Sequence, residues 1–152
     1  MTTTFADYAA QQDARNTIQL NVTKWTLMLC DALKQNYIDY SIKSHKRCLD
    51  RGESVDYNNA RIADLRNGEC DYEFIIESGR KYHKIIMVID NGPDRSPSRS
   101  CHAFVDKKTG SVLKSASWKS PAKGERYNLL NIEHREWLLQ NADWASSYLY
   151  AK

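Results

Sequence analysis

Histidine titrates nearest to neutral pH, so a pair of imidazoles is the first place to look for acid–base chemistry or a metal. His45, His83, His102 and His134 fall in four separate segments of this 152-residue chain. Only His83 and His102 stand in stretches that read as neighbouring strands, where a suitable register would bring them together. The commoner role of such residues is a local hydrogen bond. H-E-x-x-H is absent, and so are the paired His-x-Thr/Ser motifs of two-histidine phosphoesterases. Glu73, Glu77, Asp90, Glu133 and Glu136 are not constrained to face one another, as a glycosidase pair must be. G-x-S-x-G, G-x-G-x-x-G and the Walker motif are also missing. The sequence therefore offers no catalytic residue, no metal ligand and no cofactor site.

A different chemistry is offered further on. Lys114, Trp118, Lys119, Lys123 and Arg126 set cations beside an indole. Single-stranded nucleic acids and nucleotides are held by this combination, charge tracking phosphate and the ring stacking a base. Gly124 would let backbone amides approach an anion. The competing reading has Trp118 anchoring the loop in the core while the lysines stay in water. Charge is unevenly spread. Ser78 to Arg126 holds eleven Lys and Arg against four Asp and Glu, a net +7, within a chain whose total is +3. Such a segment suits a phosphate-binding face, and equally suits solubilising lysines on exposed strands.

The string VDKKTGSVLKSASWKSPAKGERYNL contains these residues. It resembles a segment of small, mostly uncharacterised proteins of tailed bacteriophages. The likeness rests on Asp106, Thr109, Gly110 and Val112 of a hairpin, on Ala116 to Lys119 and Pro121 to Lys123, and on Arg126 and Asn128. It covers about a sixth of the chain. The resemblance implies a phage origin and a place in the host cytoplasm or the virion. It brings no activity, cofactor or catalytic residue.

The elements that must position these side chains are read from periodicity and breakers. No Gly or Pro precedes Gly52, which favours helix. Ile18, Val22, Trp25, Leu29 and Ala32 recur every three or four residues as one apolar stripe. Tyr37, Tyr40 and Ile42 extend it or begin a turn away. Thr3 or Thr4 is placed to cap the start near Phe5. Ser44 to Ser54 reads as a loop, and Val55 to Arg66 as a second helix stopped by Asn67-Gly68. Tyr72 to Glu77, Tyr82 to Ile89, Ser100 to Val105 and Ser111 to Ala116 read as strands of one antiparallel meander. Either Ile85, Met87 and Ile89 or Ile86 and Val88 face the helices. Asp106 to Gly110 is a turn in which the Asp carboxylate bonds amides two residues on and Gly110 supplies a positive φ. Trp118 to Asn128 reads as a basic loop, because Pro121 lacks a donor and Gly124 invites a turn. Leu129 to Lys152 reads as helix in two pieces, capped by Asn128 or Asn131 and broken at Asn141 or Asp143.

These elements make one α+β domain of two layers, a four-stranded antiparallel meander against N-terminal and C-terminal helices. Its parts are helices over 1–68, the meander over 71–117, a basic loop over 118–128 and helices over 129–152. Length and a 41% hydrophobic fraction allow a real core. Met1-Thr2-Thr3-Thr4 does not open a signal peptide, and no apolar run approaches a membrane span. Cys30, Cys48, Cys70 and Cys101 form no C-x-x-C pair, so four free, largely buried thiols are expected. Two function classes follow. The first is a non-enzymatic phage module that binds nucleic acid, another phosphate-bearing ligand, or a host or phage protein. The second is a virion structural or assembly protein that uses helix and sheet-edge interfaces and oligomerises.

Overall fold

A computed structural model of the chain describes residues 4–150. Helix α1 runs over Phe5–Asp50, about 69 Å at 1.5 Å per residue. Thr4 caps it in a full capping box with Asp7; Thr3, the other expected cap, lies outside the described residues. The expected loop over Ser44 to Ser54 is instead helical as far as Asp50. Nothing in Ser44–Asp50 breaks a helix, and α2, Val55–Arg66, packs beside α1. His45 there bonds Asn58 of α2. The stop comes from Gly52 at φ +72°. The Gly52 amide bonds the Leu49 carbonyl and the Glu53 amide bonds that of Cys48, the pattern of a Schellman cap. Gly68 closes α2 in the same way, with Gly68 to Leu65 and Glu69 to Asp64.

Five strands follow: β1 Tyr72–Ser78, β2 Tyr82–Ile89, β3 Ser98–Asp106, β4 Ser111–Ser115 and β5 Pro121–Asn128. They pair antiparallel in sequence order. The fifth strand corrects the expected basic loop, of which only the part before Pro121 remains a turn. Pro121 opens an edge strand, where its missing donor costs no ladder bond. Gly124, at φ +99°, sits where three residues of β4 (Leu113 to Ser115) face five of β5 (Pro121 to Glu125). A glycine in this conformation absorbs the bulge that a side chain would strain. The β3–β4 turn forms as its sequence demands. Asp106 Oδ1 accepts from the amides of Lys108 and Thr109 at 2.8 and 3.1 Å, and Gly110 has φ +75°.

Helix α3, Ile132–Asn141, is capped by Asn131, whose side chain accepts from the His134 amide. The short α4, Ser147–Tyr150, is held by Asp143, which accepts from the Ser147 and Tyr148 amides. The expected continuation to Lys152 lies partly outside the described residues.

The helices gather on one face of the sheet. The core joins Val22, Leu29, Cys30 and Leu33 of α1 to Phe74, Ile85, Ala103, Val105, Val112 and Tyr127 of the sheet, and to Leu138, Tyr148 and Leu149. The buried residues of α1 are Val22, Thr26, Leu29, Cys30, Leu33 and Ile38, with Trp25 partly buried against the core; Ile18, expected in the stripe, is 38% exposed. From Phe5 to Ile18 no side chain is buried. On β2, Ile85 faces the helices and Met87 packs against that core. Ile86 is fully buried too, but it alternates to the other face.

Candidate phosphate-binding face

The turn between β4 and β5 is a small built structure. The amides of Ala116 and Ser117 both donate to the Ser120 carbonyl. Ser117 Oγ accepts from the amides of Lys119 and Ser120. Trp118 sits at its tip and folds back over the sheet face opposite the helices. The Lys84 ammonium of β2 lies 4.2 Å from its ring centroid and the Arg99 guanidinium of β3 lies 5.6 Å away. Arg99 is held from behind by Glu77 of β1 at 3.1 Å. The indole keeps 40% of its surface exposed, so it is both a lid on the sheet and a platform open to solvent. A cation over an indole contributes about 0.5–1 kcal/mol at such a site.

Lys119 lines a cavity of about 290 Å³ on this face with Lys84, Phe104, Tyr82, Arg80 and Lys81, and with the carboxylate of Glu77. Lys123 is exposed beside the bulge of β5, and Arg126 is half-buried opposite the register shift between Val112 and Leu113. Lys114 is elsewhere. It pairs with Ala103, a core residue, and its ammonium lies 4.7 Å from the Tyr150 ring on the helix side. Of the five residues read from sequence, the structure thus groups Trp118 with Lys119 and separates Lys114. It adds Lys84 and Arg99, which sequence reasoning missed. The position of Lys84 and the separation of Lys114 both carried a signal. Lys84 is a lone charge inside the apolar run Tyr82–Ile89, and a lone charge there must leave the core face. Lys114 shares the parity of buried Val112, so strand alternation already turned it from Trp118.

The four histidines are each engaged locally, and His83 and His102 do not pair. His83 faces Val105, and the bulge of β3 falls at His102. Thr23 of α1 donates its proton to the Gln19 carbonyl, so its oxygen accepts from His83 Nε2–H at 3.0 Å. Neutral imidazole then has a bare Nδ1, which accepts from the Ser78 hydroxyl at 2.6 Å. Burial, and secondarily Lys107, lowers the His83 pKa and keeps the ring neutral. His102 bonds the Tyr148 hydroxyl at 2.8 Å and Ser146 at 3.2 Å; burial lowers its pKa to about 4, against a smaller opposite effect of Asp143. His134 accepts from the Asn128 amide. In His45 the partner Asn58 spends its amide protons on the Glu53 and Ser54 carbonyls, so His45 Nδ1 donates to its Oδ1 at 2.7 Å. Among the described residues no group of His, Cys, Asp and Glu could hold a metal ion.

Fold and face together define a small α+β protein, with helices on one face of an antiparallel meander and cations around an indole on the other. The chain belongs to a family of unknown function (DUF7717), whose model matches residues 5–151. Neither curated proteins nor solved structures give a significant match. No described helix is long and apolar enough to cross a membrane.

Proposed function

We propose that this chain is a phage accessory protein that binds single-stranded nucleic acid, or another phosphate-bearing ligand, through the helix-free face of its sheet and without catalysing a reaction. The observation that carries this reading is the partly exposed Trp118 ring with Lys84 and Arg99 over it, next to the cavity that Lys119 lines with Lys84. A base stacks on the exposed indole and the cations meet its phosphates. The likeness of the Val105–Leu129 string to tailed-phage proteins supports the phage setting, and with it the host cytoplasm or the virion.

Affinity for a short single-stranded oligonucleotide tests it. Each phosphate neutralised adds about −0.7 to the log–log salt slope. Lys119→Ala should flatten the slope by about that amount. Trp118→Phe should weaken binding with the slope kept. Lys114→Ala, on the other face, should change neither. Absence of binding in low salt by the folded protein, or binding that ignores Lys119, overturns the reading.

One observation favours the second class, a protein of virion assembly. Phe5, Tyr8 and Leu20 of α1 are 85%, 54% and 70% exposed, apolar groups on a helix segment with no buried side chain. Light scattering after size exclusion would show a defined oligomer, which Phe5→Ser with Tyr8→Ser should dissolve.

A further inference from the structure

A second concentration of charge lies at one end of the sheet, away from Trp118. Three segments distant in sequence converge there: α1 near Arg15 and Gln19, the β1–β2 turn with Arg80 and Lys81, and the β3–β4 turn with Lys107 and Lys108. Between them is an open cavity of about 550 Å³, which shares Gln19 and Lys108 with a neighbouring one of about 340 Å³. This is the size of cavity that takes a nucleotide or a comparable ligand.

The five cations around it are not spent on the protein's own carboxylates. None belongs to an ion pair among the described residues. The one carboxylate on the wall, Asp106, has Oδ1 occupied by two amides of its own turn. Lys107 is fixed in place, its ammonium donating to the Gly79 carbonyl at 2.6 Å, so it ties the two turns together. The Ser78–His83–Thr23 chain ties the same turn region to α1. The walls are therefore tied to one another, and five cations with one carboxylate line the space between them. A polyanion complements that charge.

We propose that this cleft is an anion site for two or more adjacent phosphates, with Arg15, Arg80, Lys81, Lys107 and Lys108 as the charge and Gln19 as a neutral hydrogen-bonding partner. A free nucleoside polyphosphate and a nucleic-acid backbone share this chemistry. Arg80 and Lys81 also line the cavity that holds Lys84 and Lys119. A strand seated on Trp118 would pass over them into the cleft. The proposal stands on its own residues, independent of the Trp118 reading.

The test uses the whole chain and the double variant Arg15→Gln with Lys108→Ala, both exposed positions; an unchanged melting temperature shows that the fold is kept. Calorimetry in low salt is run with inorganic tripolyphosphate, with ATP and with a short single-stranded oligonucleotide. Loss of at least tenfold in tripolyphosphate or ATP affinity in the double variant supports a site for free polyphosphate. Loss confined to the oligonucleotide, with a slope flattened by about 0.7 per phosphate, supports a backbone site. If no probe binds, or if every probe binds wild type and double variant alike, the cleft is overturned. Lys119→Ala separates the two readings. Oligonucleotide binding lost there, with all three probes binding the double variant as they bind wild type, sinks the cleft and leaves the Trp118 face standing. The reverse result retains the cleft and removes that face.

Discussion

The Thr23 hydroxyl on α1 and the His83 imidazole on β2 meet at 3.0 Å across sixty residues of sequence. The bond has one direction, from Nε2–H to the Thr23 oxygen, because the Thr23 proton already goes to the Gln19 carbonyl. Ser78 completes the chain from the other side of the ring. His83 is only 4% exposed, so water cannot replace a lost partner at little cost. Thr23→Val should leave the Nε2 proton without an acceptor and lower stability by about 1–3 kcal/mol. Thr23→Ser should recover most of it. Urea denaturation of the three proteins checks this; equal midpoints for wild type and Thr23→Val would remove the bond from the account of how α1 is held.

Acid should unfold the protein through His102. Its pKa is lowered to about 4 by burial, against about 6.5 in the unfolded chain. The unfolded state therefore binds the proton more readily between these values, and stability falls as pH drops through that window. The full loss is about 3 kcal/mol, complete near pH 4. His83, also lowered by burial and by Lys107, acts in the same sense. His102→Gln should be less stable at pH 7 but should lose less on acidification from pH 7 to 4. Denaturation midpoints measured across that range decide it, and parallel pH profiles for variant and wild type would exclude His102 as the source.

Gly110→Ala tests the hairpin on which the cleft's β3–β4 wall depends. At φ +75° alanine costs about 1–2 kcal/mol in backbone strain. Its Cβ would also lie 3.0 Å from the Leu130 side chain and 3.2 Å from the Leu130 amide nitrogen. A fall in melting temperature of several degrees is expected for a domain of this size. An unchanged melting curve would mean that the turn relaxes freely.

Thiol titration should find four free cysteines after denaturation without reductant, since all four are unpaired in the structure. In the native protein Cys30 should stay silent. It is buried, and burial with a lesser push from Asp31 raises its pKa to about 12, so almost no thiolate exists to react. Rapid native labelling of Cys30 would contradict its place in the core beside Leu29 and Leu33.

Features written in contiguous sequence were legible without the fold. The Asp106–Gly110 turn closes on its own amides, Asn67-Gly68 ends α2 by a local cap, and the run Tyr82–Ile89 extends as β-branched residues favour. Each depends on bonds between residues a few places apart. The helix–meander order and the α+β class follow from these same local periods. The end of α1 was not legible, because Ser44–Asp50 is polar and is kept helical by α2 alongside it. Nor was β5. Pro121 and Gly124 argue against a ladder until the edge of β4 is there to receive it, with a bulge to take up the extra residues. Which face of the sheet each of Ile85 and Ile86 takes was left open by an unbroken apolar run, and register with β1 and β3 chose.

The candidate sites divide in the same way. Trp118 and Lys119 were readable because they are neighbours, and a tight turn keeps them so. That Lys84 and Arg99 meet the indole depended on how far the β4–β5 turn folds over β2 and β3. That Arg15 stands near Lys108 depended on where a 46-residue helix crosses the end of a sheet. The sequence by itself determined the charge, the turns and the order of elements, because these rest on local hydrogen bonds and on the 2.0 and 3.6 residue periods. The tertiary structure alone decided which cations share a space, because convergence of distant segments is set by register, bulges and packing, none of which is encoded at any single position.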